Sequence, residues 1–93
     1  MAADLFEKTV SPSDFTGEEW KKFMFVEKRL APMVKDATGG EVFSCRYVKS
    51  AVAPVECVAM RTAGGVAFRA DVTADSLWAI AKDVMRAVAR QYE

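Results

Sequence analysis

The chain has no histidine. That removes the commonest general base near neutral pH and the commonest zinc ligand. Cysteine is scarce, and Cys45 and Cys57 do not form a C-x-x-C pair, so no metal and no cofactor is expected. There is no excess of positive charge: 13 Lys and Arg balance 13 Asp and Glu. Proteins that live on phosphate backbones usually carry such an excess, so nucleic acid is not an expected partner. No run of about 18 apolar residues exists, so no membrane span is expected. The opening MAADLFEKTV turns acidic at Asp4 and lacks an apolar h-region, which argues against a signal peptide. A reduced, cytoplasmic location is the default for such a chain. Internal repeats, linkers and low-complexity tracts are also absent.

What remains is an ordinary folding composition, 52% hydrophobic and 28% charged. The expected organisation is a single domain over residues 1–93, with residues 1–14 as a loosely attached segment. Leu5, Phe6 and Val10 could anchor a short helix or an edge strand there, or simply pin a tail. The core is modest, because a chain of this length buries only roughly 60–65% of the surface its unfolded state exposes.

The first helix has two start signals. Thr16-Gly17-Glu18-Glu19 is a T-x-x-E capping box, and Phe15 and Trp20 stand at the spacing of a hydrophobic staple. Trp20, Phe23, Val26, Leu30, Met33, Val34 and Ala37 share one face at helical periodicity. Pro32 should either kink this helix near Lys28–Arg29 or begin a separate turn. Thr38-Gly39-Gly40 ends it. Three β-rich runs follow at about 41–49, 55–62 and 65–73. Ala63-Gly64 reads as a two-residue hairpin loop. With that loop, Phe43, Cys45, Tyr47, Val55, Cys57, Ala59, Val66, Phe68, Ala70 and Val72 point into the core, and Cys45 faces Cys57. The last helix is expected to be capped by Thr73. Leu77, Ala81, Val84 and Val88 centre its apolar face, and Trp78, Met85 and Tyr92 lie along one flank at spacings of seven.

The fold class is therefore α+β: an α-β-β-β-α two-layer sandwich, a three-stranded antiparallel meander with both helices on one face. Double-stranded-RNA-binding domains share this element order. Their mutual resemblance rests on a basic cluster at the start of the final helix. Here that helix opens Thr73-Ala74-Asp75-Ser76, with no basic residue until Lys82, so the order is shared and the signature is not.

Candidate chemistry is thin. Glu27, inside the apolar arc of the first helix, with Tyr47 as a phenolic neighbour, is the one pairing that could suggest acid–base work. No nucleophile setting or phosphate loop accompanies it, and the chain is not expected to be an enzyme. The more informative prediction is the outer sheet face, where the two-residue loop leaves Arg46, Glu56 and Asp71 in one row. Ser44, Val58 and Arg69 form the next row, and Val42, Met60 and Ala67 an apolar third. A patch of Val42, Val58, Met60 and Ala67 rimmed by Arg46 and Arg69 suits a protein interface. Phe25, on the charged side of the first helix, and the Trp78, Met85 and Tyr92 edge are further contact candidates. The expected function is a non-catalytic protein-interaction module (an adaptor, inhibitor or small subunit) that also forms a homodimer. Two other readings stand beside it: a small-molecule pocket between sheet and helices near Glu27, Tyr47 and Trp78, and nucleic-acid binding through Lys21, Lys22, Lys28, Arg29 and Lys35.

Overall fold

The capping box forms as its spacing dictates. Thr16 Oγ1 accepts from the Glu19 N–H at 3.2 Å, and Glu19 Oε1 accepts from the Thr16 N–H at 3.0 Å. Helix α1 (Gly17–Phe25) starts there in the computed structural model, which describes residues 4–92. The irregularity expected from Pro32 falls at Lys28–Arg29 and just upstream, and a separate short helix carries the proline. A π turn over Val26–Leu30 precedes it, closed by the Ala31 N–H donating to the Val26 carbonyl. Proline has no N–H and its ring crowds the carbonyl four residues back, here that of Lys28, so a wider turn just upstream relieves the clash. The chain then re-enters α2 (Ala31–Ala37). Gly40, at φ +87°, donates to the Lys35 carbonyl at 2.8 Å and closes the helical end.

Strands β1 (Val42–Lys49), β2 (Glu56–Thr62) and β3 (Ala67–Asp71) form one antiparallel sheet in the order β1-β2-β3. Helix α3 (Leu77–Gln91) follows. The class is α+β with the expected meander, and the first helix is divided in two by the π turn. The core joins Phe23, Val26, Leu30 and Val34 of the first helical stretch to Ile80, Val84 and Val88 of α3, above one face of the sheet.

The register differs from the sequence expectation in both hairpins. The β2–β3 loop holds three residues, Ala63–Gly65, rather than two. Thr62 N–H donates to Val66 O at 2.9 Å, and Gly65, at φ +87°, donates back to Thr62 O at 3.0 Å. A three-residue loop ending in a left-handed glycine is a common hairpin solution. The added residue moves the pairing by one, so Val58 faces Ala70 and Met60 faces Phe68. A one-residue slip inverts a strand's side chains. Val58 and Met60 therefore lie in the core at 0% and 1% exposure, while Ala59 turns outward. Arg69 stays on the outer face, because β3 keeps its own alternation and β2 alone inverts.

The β1–β2 connection is also longer than the expected Ser50–Val52. It runs over residues 50–55, and Cys45 faces Met60 while Cys57 faces Val48. The two cysteines thus project from opposite faces, and both are free. Burial pushes each thiol up to about 11, so neither is a reactive thiolate near neutral pH. A bulge between Val42 and Ser44 turns Val42 into the core and leaves Phe43 exposed. Val66, beyond the turn, is exposed as well.

Three positions expected on an outer interaction patch, Val42, Val58 and Met60, are core residues. Met60→Ala should cost about 3 kcal/mol in urea denaturation, a large part of a small domain's stability. Ala67→Asp, on the exposed face, should stay within about 0.5 kcal/mol of the parent.

Candidate functional site

Three arrangements stand out. One is buried and ionic. Glu56 sits at the start of β2 on the inner face, and its side chain is 10% exposed. Its Oε1 accepts from Lys22 Nζ of α1 at 2.9 Å and from the Tyr47 hydroxyl of β1, and its Oε2 accepts from the Ala74 N–H at 2.9 Å. Thr73 Oγ1 accepts from the Glu56 N–H at 3.0 Å and donates to Asp71 Oδ1 at 2.7 Å. Thr73 is thus occupied at the strand end, and Ser76 caps α3 instead, accepting from the Ala79 N–H. Ala74 adopts a left-handed φ of +59°, which breaks the backbone between Thr73 and the helix. Burial opposes the charge on Glu56, but the donors from Tyr47, Ala74 and Lys22 outweigh it and hold the carboxyl below its ordinary range. Burial and the Glu56 carboxylate both push the Tyr47 phenol upward.

Asp75 lies beside this network, and its Oδ2 is buried with no partner among the described residues. Burial pushes its carboxyl up to about 6, reinforced by the nearby Asp83 and by the charge of Asp71; Lys22 opposes the shift. Tyr47 is saturated by Glu56, and Glu27 is exposed, so the expected Glu27–Tyr47 pairing does not form. Among the described residues, no group of three or more His, Cys, Asp or Glu is placed to hold a metal ion.

The second arrangement is on the helical layer. Trp20, Met24 and Phe25 of α1 and Leu77 of α3 line an open groove of about 390 Å³, together with Lys21, Lys28 and Arg29. Trp78, the next residue of α3, is 88% exposed, the most exposed large hydrophobic residue among those described. Met85 and Tyr92 follow at spacings of seven on the same side of α3 and are also exposed. No helix among the described residues is long and apolar enough to cross a membrane.

The third is the sheet's outer face, which no helix covers. Its rows are Val48–Cys57–Asp71, Arg46–Ala59–Arg69 and Ser44–Arg61–Ala67. The N-terminal segment crosses it as a strap. Thr9 bridges Ser50, Val10 N–H donates to Lys49 O, and Ala51 N–H donates to Lys8 O. Asp4 Oδ1 accepts from Arg69 at 3.2 Å, and the Phe6 ring lies 5.1 Å from the Arg69 guanidinium. Residues 1–3 of the expected loose segment lie outside the described residues.

The sequence-derived candidates therefore separate. Phe25 enters the helical groove; Trp78, Met85 and Tyr92 lie along α3; Arg46, Ala67 and Arg69 lie on the outer sheet face; Val42, Val58 and Met60 join neither surface. The apolar contribution of Trp20, Met24 and Leu77 to the groove was missed, because Trp20 and Leu77 were assigned to their own helices' core faces, Met24 to no surface, and the groove exists only between helices. Lys22, grouped with surface lysines in the sequence, is turned inward to Glu56. Comparison with protein-family models, curated proteins and solved structures finds no match to this chain.

Asp75 generates a pH prediction. A native carboxyl titrating near 6 against 3.8 unfolded binds its proton more tightly when folded. Stability from this group is therefore present below the unfolded value and lost as pH rises through the native one. Asp75→Asn should raise the melting temperature at pH 7 by a few degrees, on the order of 1 kcal/mol, and leave it nearly unchanged at pH 4. Thermal melts across pH 4–7 read this directly; a parent and variant with parallel profiles would contradict it.

Proposed function

We propose that this chain is a non-catalytic protein-binding module whose contact surface is the helical groove and the adjoining flank of α3. The observation that carries this reading is Trp78, 88% exposed and next in sequence to Leu77, which lines the apolar groove. A large aromatic left in water forgoes roughly 2–3 kcal/mol of burial, which a docked partner recovers. Tryptophan anchors ringed by charge are typical of binding hot spots.

The occupant we assign is an acidic amphipathic helix of another protein. The groove floor is apolar, and the charged residues lining it, Lys21, Lys28 and Arg29, are all basic. Apolar residues at helical spacing would fill the floor, and flanking carboxylates would meet the rim. A second copy of the chain is the competing occupant, and the expected homodimer would use the same flank. The neutral net charge opposes neither arrangement.

The test uses two synthetic helical peptides with the same leucine and phenylalanine positions, one with glutamates and one with lysines on the polar face. Tryptophan fluorescence should report micromolar binding of the acidic peptide, weakened by salt, and none of the basic one. Trp78→Ala should weaken that binding by about 2 kcal/mol without lowering the melting temperature. Lys28→Glu should also weaken it. Equal binding of both peptides, or of neither, would overturn the acidic-helix assignment. Light scattering that finds a dimer lost in Trp78→Ala would give the surface to a second copy instead.

A further inference from the structure

The outer face of the sheet carries a second, chemically different feature. A cavity of about 420 Å³ lies between the N-terminal strap and the strands, within the usual size range of small-molecule sites. Ala59 and Cys57 form part of its lining on β2, and both are small enough to leave it open. Its apolar lining includes Val10, Pro12, Phe15 and Val48. Its cationic lining is Arg46 and Arg69, which flank Ala59 in one cross-strand row. Two strand spacings separate their backbones by about 10 Å, a span that long arginine side chains can close around one anionic group.

The two arginines are not in the same state. Arg69 already holds a carboxylate, that of Asp4, and stacks on Phe6. Arg46 forms no ion pair among the described residues. Asp4 thus demonstrates the chemistry this end of the cavity accepts. The Phe6 N–H hydrogen bond comes first, ahead of Arg69, in holding the Asp4 carboxyl below its ordinary range, so the strap delivers it in charged form.

We infer that this cavity is a binding site for a small amphipathic anion, a carboxylate or phosphate on an apolar body, whose charged head bridges Arg46 and Arg69 and displaces Asp4 from Arg69. The apolar body lies along Val48 and Phe15. The strap acts as an internal competitor: its carboxylate occupies half of the site when no ligand is present. The Arg46–Arg69 end of the site is on the sheet face opposite the helical layer, and its lining shares no residue with the helical groove. Of the residues expected around a pocket between sheet and helices, Tyr47 alone reaches this cavity, and its hydroxyl is committed to Glu56; Glu27 does not line it and Trp78 stands in solvent.

The experiment titrates the full chain with two probes, 4-phenylbutyrate and phenyl phosphate, and follows backbone amide chemical shifts of Val48, Cys57 and Ala59. Saturable shifts at these amides with either probe are the expected result, and the tighter probe identifies carboxylate or phosphate as the preferred head. Arg46→Gln should weaken binding about tenfold or more, the loss of one charge-assisted contact. Asp4→Asn should tighten it severalfold by removing the competing charge, with an unchanged melting temperature. Because Arg46 and Asp4 are both exposed, neither substitution threatens folding. No saturable shift with either probe in the parent and in Asp4→Asn would overturn the inference. So would shifts that Arg46→Gln leaves intact.

Discussion

One buried carboxylate ties most of this fold together. Glu56 receives donors from α1, from β1 and from the segment between β3 and α3, so its two oxygens fix the position of three elements around the start of β2. Removing a carboxylate from water is costly, and only this full set of partners makes it tolerable. Paired charges of this kind add little net stability. Their consequence here is register: with the other alternation of β2, Glu56 would point to the open face, and Lys22 would be left buried beside Cys57 with no counter-charge. The inward placement of Glu56 and that of Val58 and Met60 are one choice, because all three lie on the same side of β2.

This coupling also explains what could be read from the residues and what could not. The capping box at Thr16, the apolar stripe through Val26, Leu30 and Val34, the alternation of Phe68, Ala70 and Val72, and the α+β order all depend on neighbours within a turn or a strand. Each was legible. The side of β2 was not, because both of its alternations are largely apolar: Val55, Cys57 and Ala59 compete with Val58 and Met60. Volume and the Glu56 network decide, and both act across the sheet. One loop residue, with Gly65 rather than Gly64 taking the left-handed position, carries the whole difference. For the surface, Trp78 and Arg46 were identifiable, since a residue far from the centre of its element's apolar face stays outside however the element packs. Val42 was not, because the bulge at Phe43 shifts the alternation at that strand end.

The neutral net charge hides two locally basic surfaces on opposite sides of the molecule. Charge balance governs attraction over distances longer than about 10 Å at ordinary ionic strength, and there the molecule is neutral. Within contact distance the arrangement matters instead. Among the described residues, three carboxylates are paired: Glu56 with Lys22, Asp4 with Arg69, and the exposed Glu18 with Lys21 at 3.8 Å. The rim of the helical groove and the Arg46 row keep cations facing water. Such a molecule has little long-range pull on a polyanion, and the proposed acidic partner and anionic ligand would be selected at contact distance.

One member of the rim, Arg29, lies in the turn that precedes Pro32. Pro32 has no N–H and crowds the Lys28 carbonyl, and the π turn over Val26–Leu30 lies where that clash falls. A π turn holds more residues per revolution, so each residue advances by a smaller angle. Counted from Phe25, four α steps would carry Arg29 past Phe25 to the side away from Lys21 and Met24. Four narrower steps bring it short of a full revolution, on the side that Lys21, Met24 and Lys28 share. That is where it lines the groove. The irregular turn before the proline and the basic side of the groove thus occupy the same stretch of chain, Lys28–Arg29.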